Sequence, residues 1–183
     1  MPRITKITTR RGDDGFTDMA DGGRIRKDSR RIEAVGSLDE LSSVIGMARA
    51  EKPLPETDAR LQEIQNDLFC LGAMLASGTR KAPSPMLDAN RIAVLERETA
   101  KIAEQLGPLE NFLLPGGSPC AASLHFARAV CRRAERNVIA FSRSAKVESV
   151  ICIYLNRLSD VLFQYARMEN NAAGLAESSW KSR

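Results

Sequence analysis

Histidine is almost missing from this chain, with His125 the single copy in 183 residues. Dinuclear iron sites in helix bundles need two Glu-x-x-His motifs, so a ferritin-type oxidase is excluded. Cysteine is sparse as well. Cys70, Cys120, Cys131 and Cys152 form no Cys-x-x-Cys pair, which removes the usual zinc and disulfide frameworks. Three of them fall in apolar helical patterns and read as reduced core residues. The longest apolar run, Leu68 to Ala76, is far short of the roughly 18 residues of a membrane-spanning helix, which excludes a transmembrane protein. Neither sign of charge dominates: 27 basic residues face 23 acidic ones for a net +4, and so small an excess matters less than where the charges sit. The first residues, Met1-Pro2-Arg3-Ile4 with Asp13 and Asp14 soon after, show neither an apolar secretory stretch nor an acid-poor transit peptide, and the cytoplasm is the expected compartment.

What is present is ordinary for a soluble domain, 43% hydrophobic and 27% charged, with no block poor enough in apolar residues to stay unfolded. From Asp28 apolar residues recur at helical spacing through Ile32, Val35, Leu38, Leu41, Ile45 and Ala48, a helix ending near Glu51 before Pro53. Leu61, Ile64, Leu68, Leu71 and Leu75 mark a second helix, stopped by Ser77-Gly78 and the Pro83/Pro85 loop. Asp88 reads as the N-cap of a third, which carries Ile92, Leu95, Ile102 and Leu106 up to Gly107-Pro108. Ser118-Pro119, a cap residue with proline at the first helical position, opens a fourth that runs to about Phe141. A fifth spans about Glu148 to Ala172, and only residues 3–9 could form a short strand. Short links force neighbouring helices to reverse, so the fold class is all-α, an antiparallel five-helix bundle preceded by an ordered N-terminal loop. The expected segments are 1–27, 28–176 and 177–183, a tail that is polar apart from Trp180 and should be frayed.

Two stretches do not suit a minimal bundle. Residues 5–27 are rich in glycine, threonine and charge, without a helical stripe, and loops of that length are functional or disordered. Asn111-Phe112-Leu113-Leu114-Pro115-Gly116-Gly117 is apolar where a loop should be polar, and something should cover it. In the fourth helix Arg128, Arg132, Glu135 and Arg136 share a face. That face is either a solvated surface or a site for polyphosphate, since guanidinium binds phosphate bidentately and stays charged. Thr8 to Thr17 supplies glycines, hydroxyls and basic side chains of the kind that let amides approach phosphate. It is not a Walker A loop, because the Gly-x-x-x-x-Gly-Lys-Ser/Thr spacing is missing; a mobile basic tail is the other reading. Asn156 and Asp160 sit one turn apart in a core pattern, and Asp39 and Glu40 interrupt another between Leu38 and Leu41; polar groups so placed need partners. A basic helical nucleic-acid binder is a rival, but Glu135 breaks the patch and no helix-turn-helix or aromatic platform is evident.

Several of these segments agree, in order and over nearly the whole chain, with one family. The sequence resembles the PduO-type corrinoid adenosyltransferases, ATP:cob(I)alamin adenosyltransferases, in Thr9 to Gly15, Arg24 with Lys27, Arg31 to Leu41, Phe112 to Gly117, Arg128 to Arg136 and Tyr154 to Asp160. The resemblance implies a trimeric five-helix bundle of the ferritin-like, cobalamin adenosyltransferase-like type, with active sites between subunits. It implies transfer of the 5′-deoxyadenosyl group of ATP to cob(I)alamin, with Mg²⁺ on the phosphates, giving adenosylcobalamin and triphosphate. ATP contacts would come from Thr9, Arg10, Arg11, Gly12, Thr17, Asp18, Lys27, Arg132, Arg133, Glu135, Arg136 and Asn156. Arg128 and Asp39 would bridge subunits, Arg128 and Arg132 would steady the leaving triphosphate, and Phe112 would fill the lower face of the corrin and keep cobalt four-coordinate. A cobalt reductase and an adenosylcobalamin-dependent enzyme are the implied partners, with no nucleic acid and no membrane. A cobalamin carrier of the same fold, impaired in catalysis, is the alternative. The chain departs from the family pattern at Arg11, usually threonine, and at Asp18, usually small or hydroxyl-bearing. A carboxylate there repels triphosphate unless Mg²⁺ or Arg11 lies between.

Overall fold

Ser29 and Ser118 begin two of the helices in the way that orphan amides at a helix start demand. The Ser29 hydroxyl accepts from the Ile32 amide at 3.4 Å, and the Ser118 hydroxyl from the Ala121 amide at 3.1 Å, with Pro119 in the first turn. The computed structural model describes residues 8–19, 22–77, 86–88 and 90–181. It contains helices α1 (Arg30–Ala50), α2 (Pro55–Ser77), α3 (Asn90–Leu106), α4 (Pro119–Ser142) and α5 (Ser149–Ala172). Asp88 precedes α3 as expected, its carboxylate accepting from the Asn90 amide at 2.9 Å. Residues 3–7 of the expected strand, Gly78 and the Pro83/Pro85 loop lie outside the described residues, and residues 8 and 9 are not in a strand.

The segment before α1 differs from the stripe-free loop expected. Strands β1 (Phe16–Asp18) and β2 (Arg24–Arg26) pair antiparallel, Thr17 opposite Ile25. Three-residue strands are too short to show period-two alternation, which hid the hairpin in the sequence.

Packing follows the apolar stripes. Helix α4 lies against both α1 and α5, α2 covers α1, and α3 covers α5. Directions can be read from polar contacts at the helix ends. Arg31 at the start of α1 donates to the Leu75 and Ala76 carbonyls at the end of α2, at 2.8 and 2.6 Å. Arg49 at the other end of α1 is paired with Asp58 at 2.7 Å, so the two helices are antiparallel. Helix α4 reverses against α1 through Glu33–Asn137 and Glu40–Arg133. Leu38, Leu41, Ile45, Leu68, Leu124, Leu155, Leu158 and Leu162 are all at or below 2% exposure, and each such side chain contributes about 1.5–3 kcal/mol when buried. Among the described residues no helix is long and apolar enough to cross a membrane. The four thiols are free: Cys120 and Cys131 are buried, Cys70 and Cys152 half-buried. Burial, reinforced by the Glu169 and Glu51 charges, pushes the Cys120 thiol up to about 12.

Asp67 and His125 are among the polar groups buried within this core. Asp67 on α2 receives the Tyr154 hydroxyl of α5 at 2.7 Å and the Arg91 guanidinium of α3 at 2.8 Å, tying three helices at one carboxylate. Burial, with Asp67 alongside, raises the Tyr154 phenol well above its usual value. His125 of α4 is buried against Phe163, ring centroids 5.8 Å apart. Burial first and the Arg128 charge second lower its pKa from the ordinary 6.5, against the opposing pull of Glu177.

Tyr154→Phe removes a donor from a buried carboxylate and is expected to destabilise the bundle by about 1–3 kcal/mol, read as a lower urea midpoint at unchanged m-value. His125 is expected to give the protein an acid-sensitive limb. The unfolded chain takes up its proton near pH 6.5 and the folded chain only at lower pH, so stability is full above that value and falls as pH drops through it. Stability curves of His125→Gln between pH 7 and 5 should have a shallower acid slope than the parent; equal slopes would remove the histidine as the cause.

Candidate active site

The basic N-terminal segment is folded back on itself by its own charges. Arg24 donates to Asp14 Oδ1 at 3.0 Å and to the Arg11 carbonyl at 2.7 Å, and its guanidinium lies over the Phe16 ring, 5.7 Å from the centroid. The Arg24 hydrogen bond, followed by the Phe16 amide, holds the Asp14 carboxyl below its usual value. Lys27 Nζ donates to the Gly12 carbonyl at 2.7 Å. A Cβ on residue 12 would stand 2.6 Å from that nitrogen, so Gly12 permits the close approach. Thr9 and Arg10 are exposed, and Arg10 turns the chain at φ 60°, in the left-handed region. Arg11 pairs with Asp18 at 3.1 Å, and Arg24 Nε lies 3.6 Å from the same carboxylate. The two departures from the family pattern therefore face each other.

Thr17, Asp18 and Lys27 line a cavity of about 650 Å³ whose wall is built by α1 and α2. Asp39 of α1 lies on the same wall, beside Ile32, Val35 and Phe69. Phe69 is 71% exposed. This is the first half of the candidate site: a polar rim of Thr17, Asp18 and Lys27 above an apolar face.

The second half is on α4 and α5. Arg128, Arg132, Glu135 and Arg136 follow one stripe, with Arg132 and Arg136 exposed, Arg128 and Glu135 half-buried. Glu135 accepts from Asn156 Nδ2 at 3.2 Å, and Arg157 donates to Asn156 Oδ1 at 2.6 Å, so the asparagine in the core pattern has its partners. Arg133 is turned toward α1, where it is paired with Glu40. Arg128 and Arg132 line a cavity of about 430 Å³ together with Phe112, Phe163 and Asp160. An adjoining cavity of about 740 Å³ shares Phe112, Arg128 and Phe163 and adds Trp180 and Lys181. The Phe112 ring is 83% exposed at the junction. Arg128 Nε is buried and has no hydrogen-bond partner among the described residues.

Two devices fix the apolar loop. Asn170, 3% exposed on α5, accepts from the Ser118 amide at 2.9 Å and donates to the Gly116 carbonyl at 3.1 Å. Gly117 between them has φ 103°, and a Cβ there would overlap the Asn170 amide at 1.9 Å, so only glycine fits. The other device is the C-terminal tail, expected to fray. Instead, Leu113 and Ser179 form an antiparallel bridge, the Leu114 amide donates to the Ser178 carbonyl at 2.8 Å, and the Trp180 amide donates to the Phe112 carbonyl at 2.7 Å. The tail satisfies backbone groups that an apolar loop could not. Trp180 and Lys181, which line the Phe112 cavity, and Asn170, which anchors the loop, were not among the expected site residues. A lone tryptophan in an otherwise polar tail was the one available signal.

Thus the chain gathers Thr17, Asp18, Lys27 and Asp39 in one place and Phe112, Arg128 and Arg132 in another. No residue lines both cavities. Arg128 and Asp39, expected as partners across subunits, do not share a cavity within the chain.

The chain is similar to known proteins in both sequence and fold. The chain is 43% identical over 181 residues to a cobalamin adenosyltransferase of Cupriavidus metallidurans, covering 98% of this chain and 96% of the relative. It is 40% identical over 176 residues to a corrinoid adenosyltransferase of Bacillus subtilis, covering 94% and 90%. In three dimensions it matches a variant PduO-type ATP:corrinoid adenosyltransferase from Lactobacillus reuteri complexed with cobalamin and ATP, with TM-score 0.91 and 29% identity, over 97% of this chain and all of that one. The family pattern described as Cobalamin adenosyltransferase matches residues 7–169, and the chain belongs to that family.

Proposed function

We propose that this chain transfers the 5′-deoxyadenosyl group of ATP to cob(I)alamin at a site completed by two copies, one giving the hairpin half and the other the α4 half. The separation of the two lined cavities within one chain carries this reading. The exposed Asp39 in one half and the partnerless Arg128 Nε in the other support it, since a buried guanidinium nitrogen left unpaired costs stability. The apolar wall with Phe69 71% exposed gives an adjoining copy something to cover. Closed assembly of such head-to-tail contacts yields a ring, and a homotrimer is the assembly we assign.

In the reaction the cobalt(I) electron pair forms a bond to C5′ of ATP while the C5′–O bond breaks, and triphosphate departs with that bonding pair. The carbon–cobalt chemistry belongs to the corrinoid. The protein supplies in-line placement and charge. Lys27 with the glycine-rich loop holds the phosphates from one side, and Arg132 and Arg128 meet the growing negative charge from the other. Removing one such preorganised donor commonly costs about 3–4 kcal/mol of barrier. Thr9, Arg10, Arg11, Gly12, Thr17, Asp18, Arg133, Glu135, Arg136 and Asn156 complete the nucleotide contacts. Among the described residues no three His, Cys, Asp or Glu side chains gather as a metal site. Magnesium arriving with the nucleotide would share the neutralisation of the phosphates with Lys27 and the arginines.

Phe112 occupies the place where an apolar group can keep water and the nucleotide-loop base from the lower face of cobalt, which favours the four-coordinate ion and its reduction. A one-electron reductase must precede this step, and an adenosylcobalamin-dependent enzyme consumes the product. Four unpaired thiols suit a reducing compartment, and we place the enzyme in the cytoplasm.

Arg132→Ala is expected to lower the rate of adenosylcobalamin formation by at least about 10²-fold with far-ultraviolet ellipticity unchanged; a near-parental rate would remove the leaving-group role. Phe112→Ala should keep ATP binding and the oligomer while losing most turnover when the assay starts from cob(II)alamin. Absorbance of the product and sedimentation velocity decide between the two outcomes.

A further inference from the structure

An aromatic ring that is 83% exposed is not positioned by packing. The posture of Phe112 depends on its backbone, which is bonded to the tail at Phe112 itself and again at Leu114. The Trp180 amide donates to the Phe112 carbonyl at 2.7 Å, and the Leu114 amide donates to the Ser178 carbonyl at 2.8 Å. These bonds flank the Leu113–Ser179 bridge and tie the Phe112 backbone itself to the tail. Two-stranded pairing of this length does not hold in water by itself, so something must fasten the tail.

The fastening is visible one residue earlier. Arg167 of α5 is 5% exposed, and its Nε donates to Glu177 Oε2 at 3.2 Å. Its other contact is weaker, from Nη1 to Gln164 Oε1 at 3.3 Å. Glu177 is thus the anionic partner of a buried guanidinium, and breaking such a pair by removing one member is strongly unfavourable. Glu177 Oε1 is itself buried and without a partner among the described residues, as is Nδ1 of His125. The His125 imidazole feels the charges of both Glu177 and Arg128, and Arg128 lines the Phe112 cavity.

We propose that Glu177 is a positioning residue: its ion pair with Arg167 latches the tail across the apolar loop and sets the posture in which the Phe112 ring meets a bound corrinoid. The corrinoid part of this inference rests on the function assigned above. The latch itself does not. Trp180 and Lys181, which line the cavity with Phe112, are carried into place by the same strap.

The test uses Glu177→Gln in the full chain, with a second variant lacking residues 178–183 that keeps the ion pair but has no strap. In Glu177→Gln the Leu114 and Trp180 amides should exchange with deuterium about tenfold faster or more, with the amides of α4 and α5 unchanged. Anisotropy of Trp180, the single tryptophan, should fall. Both variants should lose about tenfold or more of kcat with cob(II)alamin plus reductant at an unchanged KM for ATP. Cobinamide, a corrinoid without the lower base to displace, should be much less affected. Faster exchange with full cobalamin turnover would overturn the positioning role, and unchanged exchange would overturn the latch. Equal losses with both corrinoids together with a raised KM for ATP would mean general destabilisation and also overturn it. A parental protein that turns over neither corrinoid would sink the functional reading and the positioning role with it, while the exchange data would still decide the latch.

Discussion

Helix α4 is packed on two sides, by α1 and by α5, and that confinement governs the rest of the molecule. Its alanines, valines and Leu124 fill both contacts, with Ala127, Val130, Ala134 and Val138 at or below 2% exposure. Small side chains on a central helix let two neighbours approach closely. Of the side that remains, Arg128, Arg132 and Arg136, four residues apart, form one stripe. Guanidinium groups so placed are held by a rigid element, so the cost of ordering them is met during folding rather than when the substrate arrives.

The same confinement explains why the two sets of candidate residues line separate cavities of one chain. The hairpin and the α1–α2 wall carry Lys27 and Asp39, whereas the arginines and Phe112 border α4 and α5. A site split in this way joins chemistry to assembly. Arg128, half-buried with an unsatisfied nitrogen, is where the two meet, because the group that satisfies it would also bring the phosphate-binding loop of a second copy into reach.

Five helices were legible because each repeats its apolar period over 17 to 24 residues, long enough for the 3.6-residue signal to stand above chance. Ser118-Pro119 was equally plain, since capping is a local interaction. The candidate site was legible in its residues and not in its geometry. The apolar loop around Phe112 could be recognised as an anomaly, yet its cover could not, because the tail binds it through main-chain atoms that leave no mark on side-chain pattern. The β1–β2 hairpin was missed for its brevity, and the division into two halves depends on which helices are neighbours, a tertiary fact.

Arg11 and Asp18 show how pairing changes the meaning of a single residue. Taken separately, an added cation should tighten phosphate binding and an added carboxylate should oppose it. Their contact at 3.1 Å, with Arg24 at 3.6 Å from the same carboxylate, makes them one neutralised unit. Both side chains are well exposed, 68% and 41%, and an exposed pair of this kind is worth only about 0–1 kcal/mol. A triphosphate bearing several charges offers Arg11 a stronger partner than Asp18 does. On the proposed function, an Arg11 turned to the nucleotide would leave Asp18 with Arg24 as its counter-ion, so its charge would not stand bare beside the phosphates. The carboxylate is therefore tolerated for a physical reason: a second arginine, fixed by the hairpin and by the ring of Phe16, remains behind to hold it.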